Sequence, residues 1–260
     1  MNFRNDLATK IALIDNELLK YLQQIQQDCP PQLYESLEYS LFPGGKRLRP
    51  VILLAVCEAL GGRTEDALPF ACALEIIHNY SLTHDDLPCM DDDDMRRGKP
   101  SNHKVFGEAM AILAGDGLLN LAYEIMAEFC SNNPNPNFLR AMAKIAKNAG
   151  VTGMVGGQAL DIQQSADLRL IHENKTAKLF ISAFAAGALC ANNTGSIDFF
   201  ENLGLNFGLA FQIMDDIDDG QSSSESELAV PLDDAAKMLQ TLENSEFLQA
   251  LLEYIFKGRE

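Results

Sequence analysis

Apolar residues recur three and four positions apart along most of the chain, and strict alternation of apolar and polar residues is nowhere sustained. Segments with this helical spacing are 5–26, 32–41, 47–60, 65–87, 106–130, 138–149, 167–191, 197–217 and 232–256. The breaks carry residues that end helices: FPGG at 42–45, GGR at 61–63, NNPNPN at 132–137 and NNTG at 192–195. The pattern predicts an all-α bundle. The serine- and acid-rich stretch 221–227 predicts a mobile loop.

Composition changes this picture little. The chain has 260 residues, of which 47% are hydrophobic, and it contains no obvious linker, so we expect one domain over 1–260. The longest apolar stretch, 179–191, is shorter than the ~20 residues that span a bilayer, and the amino terminus lacks signal-peptide features. We therefore expect neither export nor a membrane span. The six cysteines form no C-x-x-C pair, which is typical of reduced core residues in a cytoplasmic protein.

The acidic charge is concentrated in two places. The net charge of −17 argues against nucleic acid, because binding to a phosphate backbone relies on Lys and Arg. Ten acidic residues lie in two clusters: Asp85, Asp86, Asp91, Asp92, Asp93 and Asp94 in the first, and Asp215, Asp216, Asp218 and Asp219 in the second. This distribution indicates divalent cations as partners.

Each cluster has a local geometry that the sequence indicates. Pro88 cannot continue a regular helix, so the backbone turns after Asp86, which would bring Asp91 beside Asp85. Asp215 is four residues from Asp219, so both project from one helix face. Clusters made of oxygen ligands suit magnesium. Neither cluster fits an EF-hand calcium loop, because Arg96 and Ile217 fall at positions that such a loop reserves for glycine or a ligand.

Basic residues adjoin this acidic chemistry. The motif PGGKRLRP, at 43–50, sets Lys46, Arg47 and Arg49 at a predicted helix start, where backbone N–H groups and cations favour an anion. RRGK, at 96–99, follows the first acidic cluster directly. Alone, each motif has an ordinary explanation as a solvated loop or a helix end. Together they indicate a site that holds a diphosphate both directly and through metal ions.

These motifs resemble those of the trans-isoprenyl diphosphate synthases, and within them the bacterial farnesyl diphosphate synthases. DDLPCMD at 85–91 and DDIDD at 215–219 are similar to the two aspartate-rich motifs of that family. GGKRLRP, the helix bearing His78, GGQALD at 156–161 and NKTAKLF at 174–180 follow in family order. The resemblance runs from about residue 40 to 220. It implies the all-helical isoprenoid synthase fold around a deep central cavity, and a homodimer.

The resemblance also implies roles for particular residues. About three Mg²⁺ ions would bridge the aspartates and the allylic diphosphate. Asp85, Asp91 and Asp215 would be ligands, with Asp86 and Asp219 in support. The allylic diphosphate would be contacted by Arg96 and Lys175. Isopentenyl diphosphate would be held by Lys46, Arg49, His78 and Arg97, beside Phe211 and Gln212. Thr176 and Gln158 would lie near the developing carbocation.

Product length is expected to depend on two residues below the metal site. Ser81 lies one turn before Asp85 on the predicted helix, and Tyr80 adjoins it. A bulky Tyr80 would form a floor under the growing chain. By resemblance to farnesyl synthases, this floor limits the product to fifteen carbons, with geranyl and geranylgeranyl products as alternatives.

One departure from the family pattern keeps a second hypothesis open. The family usually carries a lysine shortly after its second aspartate motif, but no Lys or Arg occurs here between Asp219 and Lys237. A weakly active or non-catalytic homologue that serves as a partner subunit is therefore the main alternative to an active prenyltransferase. A terpene cyclase is a third and weaker hypothesis, because GGKRLRP would then have no isopentenyl diphosphate to bind. His84, His103 and His172 have no role assigned from the sequence.

Overall fold

The described residues, 2–165, 167–220 and 224–256 of a computed structural model, are almost entirely helical. The helices are α1 (Phe3–Ile25), α2 (Pro31–Leu41), α3 (Leu48–Ala59), α4 (Thr64–Asp85), α5 (Asn102–Phe106), α6 (Glu108–Asn132), α7 (Pro136–Ala149), α8 (Met154–Ile162), α9 (Leu168–Ile171), α10 (Lys178–Cys190), α11 (Ile197–Asp218), α12 (Glu225–Gln240) and α13 (Glu246–Phe256). A π-helical segment, His172–Ala177, joins α9 to α10. The predicted all-α fold is confirmed.

One short hairpin is the exception to this helical pattern. β1 (Met95–Arg96) pairs antiparallel with β2 (Lys99–Pro100), and Arg96 lies opposite Lys99. Two residues per strand are too few for hydrophobic alternation to appear in the sequence. The hairpin lies directly after the first acidic cluster, so it determines where the arginines of RRGK point.

Helix α10 lies at the centre of the bundle. Its sequence, KLFISAFAAGALC, is apolar on all sides, and every residue from Leu179 to Cys190 is buried. A helix without a polar face must be surrounded by others, and α10 packs against α3, α4, α7 and α11. α3 and α4 also pack on each other, and buried side chains from all of these helices join in one hydrophobic core.

The predicted helix breaks are found where the turn residues lie. Gly61 follows α3 with φ of 74°, a left-handed conformation that glycine adopts without strain. The NNPNPN stretch ends α6 and starts α7, where the Asn135 side chain accepts a hydrogen bond from the Asn137 N–H at 2.9 Å and Pro136 occupies the first helical position. Local sequence chemistry therefore determined these boundaries.

Three of the predicted elements are wrong in detail. The segment 232–256 is two helices, α12 and α13, because the chain turns between Thr241 and Ser245. α6 begins only at Glu108, after Gly107 separates it from α5. The predicted mobile loop 221–227 is helical from Glu225 onward, and its residues 221–223 lie outside the described residues. The start of α12 was missed because Ser224 and Glu227 form a capping box.

Helix α6 is the longest helix in the described part of the chain. By length and composition alone, it is also the one described helix that could cross a membrane. Its buried side chains, among them Leu118, Ala122 and Met126, pack within the hydrophobic core, where α6 lies against α4.

Candidate active site

A cavity of about 370 Å³ lies between α3, α4, α8, the π-helical segment and α10. Its walls are mainly apolar and include Met90, Met154 and Leu179. Eight residues that the sequence singled out line it: Arg49, His78, Tyr80, Ser81, Asp85, Gln158, Lys175 and Thr176. The fold thus gathers predicted metal, substrate and product-length residues around one space.

The first acidic motif begins where α4 ends. Asp85 is the last residue of α4 and Asp86 its C-cap, and the Asp91 N–H then donates a hydrogen bond to the Asp85 carbonyl over 2.8 Å. The turn predicted from Pro88 is confirmed. Burial raises the pKa of Asp85 from its usual 3.8 to about 7, although the positive charge of Lys175 opposes this shift. Asp85 is therefore a carboxylate that needs a cation to remain charged at neutral pH.

The β1–β2 hairpin returns two arginines to α4. Arg96 donates to Asp86 Oδ1 from Nε at 2.9 Å and from Nη2 at 2.5 Å, and to Asp93 Oδ2 at 2.9 Å. Arg97 donates from Nη1 to Asn79 Oδ1 at 3.0 Å. Both arginines line a smaller cavity on the other side of α4, not the main one. Arg96 therefore pairs with Asp86, whereas Asp85 has no ion pair among the described residues.

The second acidic motif ends α11 and faces the basic motif. Burial raises the pKa of Asp215 to about 6, and the nearby cations Lys46 and Arg49 oppose that shift. Asp219 is exposed at the C-cap of α11, where its N–H donates to the Asp215 carbonyl at 2.9 Å. Lys46 is also exposed. Asp85 and Asp215 thus come from different helices. The charge of Lys175 lowers the pKa of Asp85, whereas Lys46 and Arg49 lower that of Asp215.

Arg49 and His78 are half-buried and lie next to each other on the cavity wall. Burial lowers the pKa of Arg49 to about 10, and its guanidinium lies 4.5 Å from the centre of the Phe180 ring. Its Nε is buried and has no hydrogen-bond partner among the described residues. Burial and the charges of Arg49 and Arg97 hold the pKa of His78 well below its usual 6.5, so this ring is neutral. An arginine with a spare buried N–H is suited to an anion.

The π-helical segment links the cavity to α8 and α11. Lys175 Nζ donates to Asp161 Oδ2 of α8 at 2.5 Å. Thr176 Oγ1 donates to Gln212 Oε1 of α11 at 2.5 Å, and Gln212 Nε2 donates to Asp216 Oδ1 at 2.8 Å. π-helical turns of this kind occur frequently at functional sites. Gln212 therefore acts on the cavity through Thr176 and does not line it.

Close packing of α8 places Gln158 at the cavity. A Cβ on Gly157 would lie 2.2 Å from the backbone nitrogen of Lys175, so only glycine allows α8 to approach this closely. The side-chain amide of the adjacent Gln158 is buried, and neither its oxygen nor its nitrogen has a hydrogen-bond partner within the described ranges. Phe211 does not reach the cavity lining; its ring packs against Phe180 at an interplanar angle of 44°, with centroids 5.3 Å apart.

The end of the cavity below Asp85 is formed by α4. Tyr80 is 6% exposed and packs edge-on against the His84 ring, with centroids 5.9 Å apart. The Ser81 hydroxyl donates to the His78 carbonyl at 2.9 Å. Sequence reasoning assigned no role to His84, which also lines the cavity. Its spacing of four residues from Tyr80 on one helix is the signal that would have found it.

The predicted ligands do not form a tight cluster by themselves. Asp85, Asp91 and Asp215 do not lie with their carboxylate oxygens all within 4.8 Å of one another. The one cluster of three such ligands found in the described part of the chain is Asp92, Asp94 and His103, which the sequence did not single out as a site. Ligands on separate walls can still share ions when a bound diphosphate completes the coordination.

Arg47 differs from its neighbours in GGKRLRP. It is 2% exposed and donates to Glu75 Oε1 at 2.7 Å, to Asp15 Oδ1 at 2.8 Å and to the Leu41 carbonyl at 2.8 Å. Its grouping with Lys46 and Arg49 as an anion contact is therefore wrong. At the N-cap of α3 its backbone adopts a left-handed conformation, with φ of 50°, and its side chain points into the bundle.

Comparison with known proteins agrees with this geometry. The model of the polyprenyl synthetase family matches residues 30–250. The chain is 46% identical to the farnesyl diphosphate synthase of Bacillus subtilis over 227 residues, which cover 84% of this chain and 76% of that protein. It is 43% identical to the chloroplastic heterodimeric geranylgeranyl pyrophosphate synthase large subunit 1 of Arabidopsis thaliana, over 86% of this chain and 63% of that one.

Solved structures show the same similarity. An apo FPP/GFPP synthase from Zymomonas mobilis superimposes with a TM-score of 0.83 at 33% identity, covering 96% of this chain and 99% of that one. A geranyltransferase from Legionella pneumophila gives 0.85 at 33% identity, with coverage of 97% and 99%. The chain belongs to the polyprenyl synthetase family, and the resemblance stated from its motifs is confirmed.

Proposed function

We propose that this protein is a short-chain trans-prenyltransferase that condenses isopentenyl diphosphate with dimethylallyl or geranyl diphosphate and yields farnesyl diphosphate. One observation carries the proposal. Asp85, Lys175 and Arg49 line one mainly apolar cavity, and the charge of Arg49 also acts on Asp215, which comes from another helix. Burial raises the pKa of both carboxylates. Such a site suits a ligand with a highly charged head and an apolar tail.

The donor set fits magnesium. Asp85, Asp91 and Asp215 offer only carboxylate oxygens, which are the ligands that Mg²⁺ prefers, and a cation would relieve the cost of their buried charge. Asp86 and Asp219 would support this set, and about three ions would complete it with the substrate. When bound, the metal ions neutralise the diphosphate as it becomes a leaving group.

The basic residues divide between two diphosphates. The charge of Lys175 acts on Asp85, and Lys175 would bind the allylic diphosphate together with Arg96, which would first have to release Asp86. Lys46 and Arg49 would hold isopentenyl diphosphate, with Arg97 joining them once it releases Asn79. The Nε–H of Arg49, which has no partner among the described residues, has an acceptor once that anion binds. His78 is neutral, so its ring offers one N–H without adding charge.

The remaining residues act on the hydrocarbon. Breaking the C1–O bond of the allylic substrate leaves a carbocation, which the double bond of isopentenyl diphosphate attacks to form the new C–C bond. A proton then leaves the adjacent carbon and is accepted by the released diphosphate. Thr176 and Gln158 line the same cavity and would lie near this cation, and the apolar wall of Met154 and Leu179 would exclude water that quenches it.

The product would end at Tyr80. Its buried ring lines the cavity next to Ser81, one turn from Asp85, so a chain anchored at the acidic motif would extend toward it. A fifteen-carbon product follows if the ring stops a further isoprene unit from being added to the product of the geranyl substrate. Removal of the ring would open the floor and lengthen the product.

The remaining expectations about the assembly form part of the same proposal. We expect a single domain, a homodimer and a cytoplasmic location. All six cysteines are free, which agrees with a reducing compartment.

The absence of a lysine after the second aspartate motif supports one alternative. No Lys or Arg lies between Asp219 and Lys237, and acidic residues begin α12 instead. A chain without this cation would release or bind the allylic diphosphate differently. The alternative is a weakly active subunit that requires a partner. The Arabidopsis relative is itself named as a subunit of a heterodimeric enzyme.

Diphosphate release separates the two functions. Purified protein with magnesium, isopentenyl diphosphate and geranyl diphosphate should release diphosphate, and chromatography should detect a fifteen-carbon product. Asp215→Asn should lose most of this activity, whereas Asp198→Asn, near the other end of α11, should retain it. If a well-folded wild-type protein releases no diphosphate, it is not an active prenyltransferase on its own.

A further inference from the structure

A three-residue cluster lies beside the candidate active site but outside its cavity. Asp92 and Asp94 belong to the loop after α4, and His103 lies in the short helix α5. One ligand atom from each residue lies within 4.8 Å of the other two. Asp92 and Asp94 are exposed, whereas His103 is 6% exposed. The cluster therefore has one buried nitrogen donor and two oxygen donors that water can reach.

The state of His103 is an independent observation that points to a ligand. Both ring nitrogens, Nδ1 and Nε2, are buried, and neither has a hydrogen-bond partner anywhere in the described ranges. A neutral imidazole has one N–H donor and one acceptor, and a buried polar group of this kind is normally satisfied. A metal ion that faces the two carboxylates would satisfy one of these nitrogens.

The loop that carries the acids is held in place from both sides. The Ser101 N–H donates to the Asp94 carbonyl at 3.0 Å, and the Ser101 hydroxyl donates to the Asp93 carbonyl. Arg96 binds the side chain of Asp93, which lies between the two acids in the chain, and also binds Asp86. The backbone that carries Asp92 and Asp94 is therefore held by contacts to Ser101 and to Arg96.

One cation already lies at the cluster. Lys104 Nζ approaches Asp94 Oδ1 at 2.5 Å and is 41% exposed. A metal ion must therefore share Asp94 with Lys104 or displace a solvated lysine, which is a small cost because exposed ion pairs contribute little. Asp92 has no such ion pair among the described residues.

We propose that Asp92, Asp94 and His103 bind one divalent transition-metal ion of the zinc class, with a ligand set distinct from that of the aspartates proposed to hold magnesium. The distinction is chemical. Imidazole nitrogen suits Zn²⁺ and Co²⁺, whereas Mg²⁺ prefers oxygen ligands alone. Three protein ligands leave room for water, as in sites that are open on one side. An ion here would tie α5 to the loop that precedes the β1–β2 hairpin and its two arginines.

Cobalt binding tests the proposal with the metal alone. Tag-free, chelator-treated protein is titrated with Co²⁺ in excess Mg²⁺, and binding is followed by calorimetry and by visible absorption. We expect one ion per chain. His103→Gln and Asp92→Asn should each weaken binding by more than about tenfold, because even changes outside the ligand shell cost that much at metal sites. Zn²⁺ should compete with Co²⁺ for the same site.

Two control variants decide which site is occupied. His84→Gln removes a histidine elsewhere and should leave Co²⁺ affinity unchanged. Asp85→Asn removes a carboxylate of the first aspartate motif and should also leave it unchanged. Binding that survives in His103→Gln, or that is lost in Asp85→Asn, overturns the proposal, as does the absence of binding to the wild type. If His103→Gln fails to fold by circular dichroism, the exposed Asp92→Asn variant takes its place, and unweakened Co²⁺ binding there overturns the proposal.

Discussion

Asp85→Asn is expected to stabilise the metal-free protein at pH 8 while it abolishes the activity. Burial raises the pKa of this carboxyl from 3.8 to about 7, so the folded state binds a proton more tightly than the unfolded chain does. The stability from this proton is fully present below pH 3.8 and is lost as the pH rises through about 7. Above that pH the wild type keeps a buried charge, which asparagine does not have.

The size of the effect follows from the same pKa values. A difference between 3.8 and about 7 corresponds to about 4 kcal/mol at most, because one pKa unit is ~1.4 kcal/mol. Water at the cavity screens this charge and reduces the figure, so we expect a gain of about 1–3 kcal/mol for Asp85→Asn at pH 8. The gain should shrink steadily between pH 7 and pH 4.

Urea denaturation at pH 8 and at pH 4.5, in the presence of a chelator, measures this change. Asp28→Asn, in an exposed turn, is the matched control and should change the free energy of unfolding by less than ~0.5 kcal/mol. Added Mg²⁺ and diphosphate should stabilise the wild type more than Asp85→Asn. The buried-charge argument is refuted if Asp85→Asn is less stable than the wild type at pH 8. It is also refuted if the gain in the free energy of unfolding over the wild type is the same at pH 8 and at pH 4.5.

Three further changes test other parts of the structure. Tyr80→Ala should lengthen the product beyond fifteen carbons because it removes the ring at the cavity floor, as chromatography of the products will show. Arg47→Ala should cost roughly 3–5 kcal/mol in urea denaturation, because it leaves a buried carboxylate unpaired; the exposed Arg63→Ala should cost less than ~1 kcal/mol. Gly157→Ala should lower the rate of prenyl transfer at least roughly tenfold, because its Cβ would push α8 away from the π-helical segment. Gly195→Ala should leave the rate unchanged, because a Cβ there meets no atom within 4 Å.

Each of these outcomes can fail in a recognisable way. An unchanged product distribution in Tyr80→Ala would remove the ring from the floor. Equal stability losses in Arg47→Ala and Arg63→Ala would mean that burial of the first arginine has no energetic consequence. Wild-type kinetics in Gly157→Ala would show that the 2.2 Å approach to the Lys175 backbone is not needed for the reaction.

Features that depend on neighbouring residues could be predicted from the sequence. The helical spacing, the breaks at FPGG and NNPNPN and the turn after Asp86 all depend on covalent geometry and on hydrogen bonds within a few residues. Pro88 illustrates the point, because its ring alone prevents α4 from continuing and so returns Asp91 to the end of that helix. The second acidic motif required only the helical repeat, which places Asp215 and Asp219 one turn apart.

Features that depend on distant side chains could not be predicted in this way. Lys46, Arg47 and Arg49 look equivalent in GGKRLRP, but Arg47 turns inward because Glu75, 28 residues later, is buried next to it. His103 approaches Asp92 and Asp94 only because the hairpin and α5 fold back on the loop. The residues around a basic side chain in the sequence do not indicate whether it will pair with a buried carboxylate.

Local sequence chemistry was enough to specify a helical bundle with two aspartate motifs and a basic motif, because helix period, proline and glycine act within a few residues. Which charges are buried, and which groups they meet, depends on how the helices pack. The close approach of α8 to the π-helical segment at Gly157 and the packing of α4 on α3 put Asp85, Lys175 and Arg49 around one cavity. Burial there, and not residue type, raises the pKa of Asp85 to about 7.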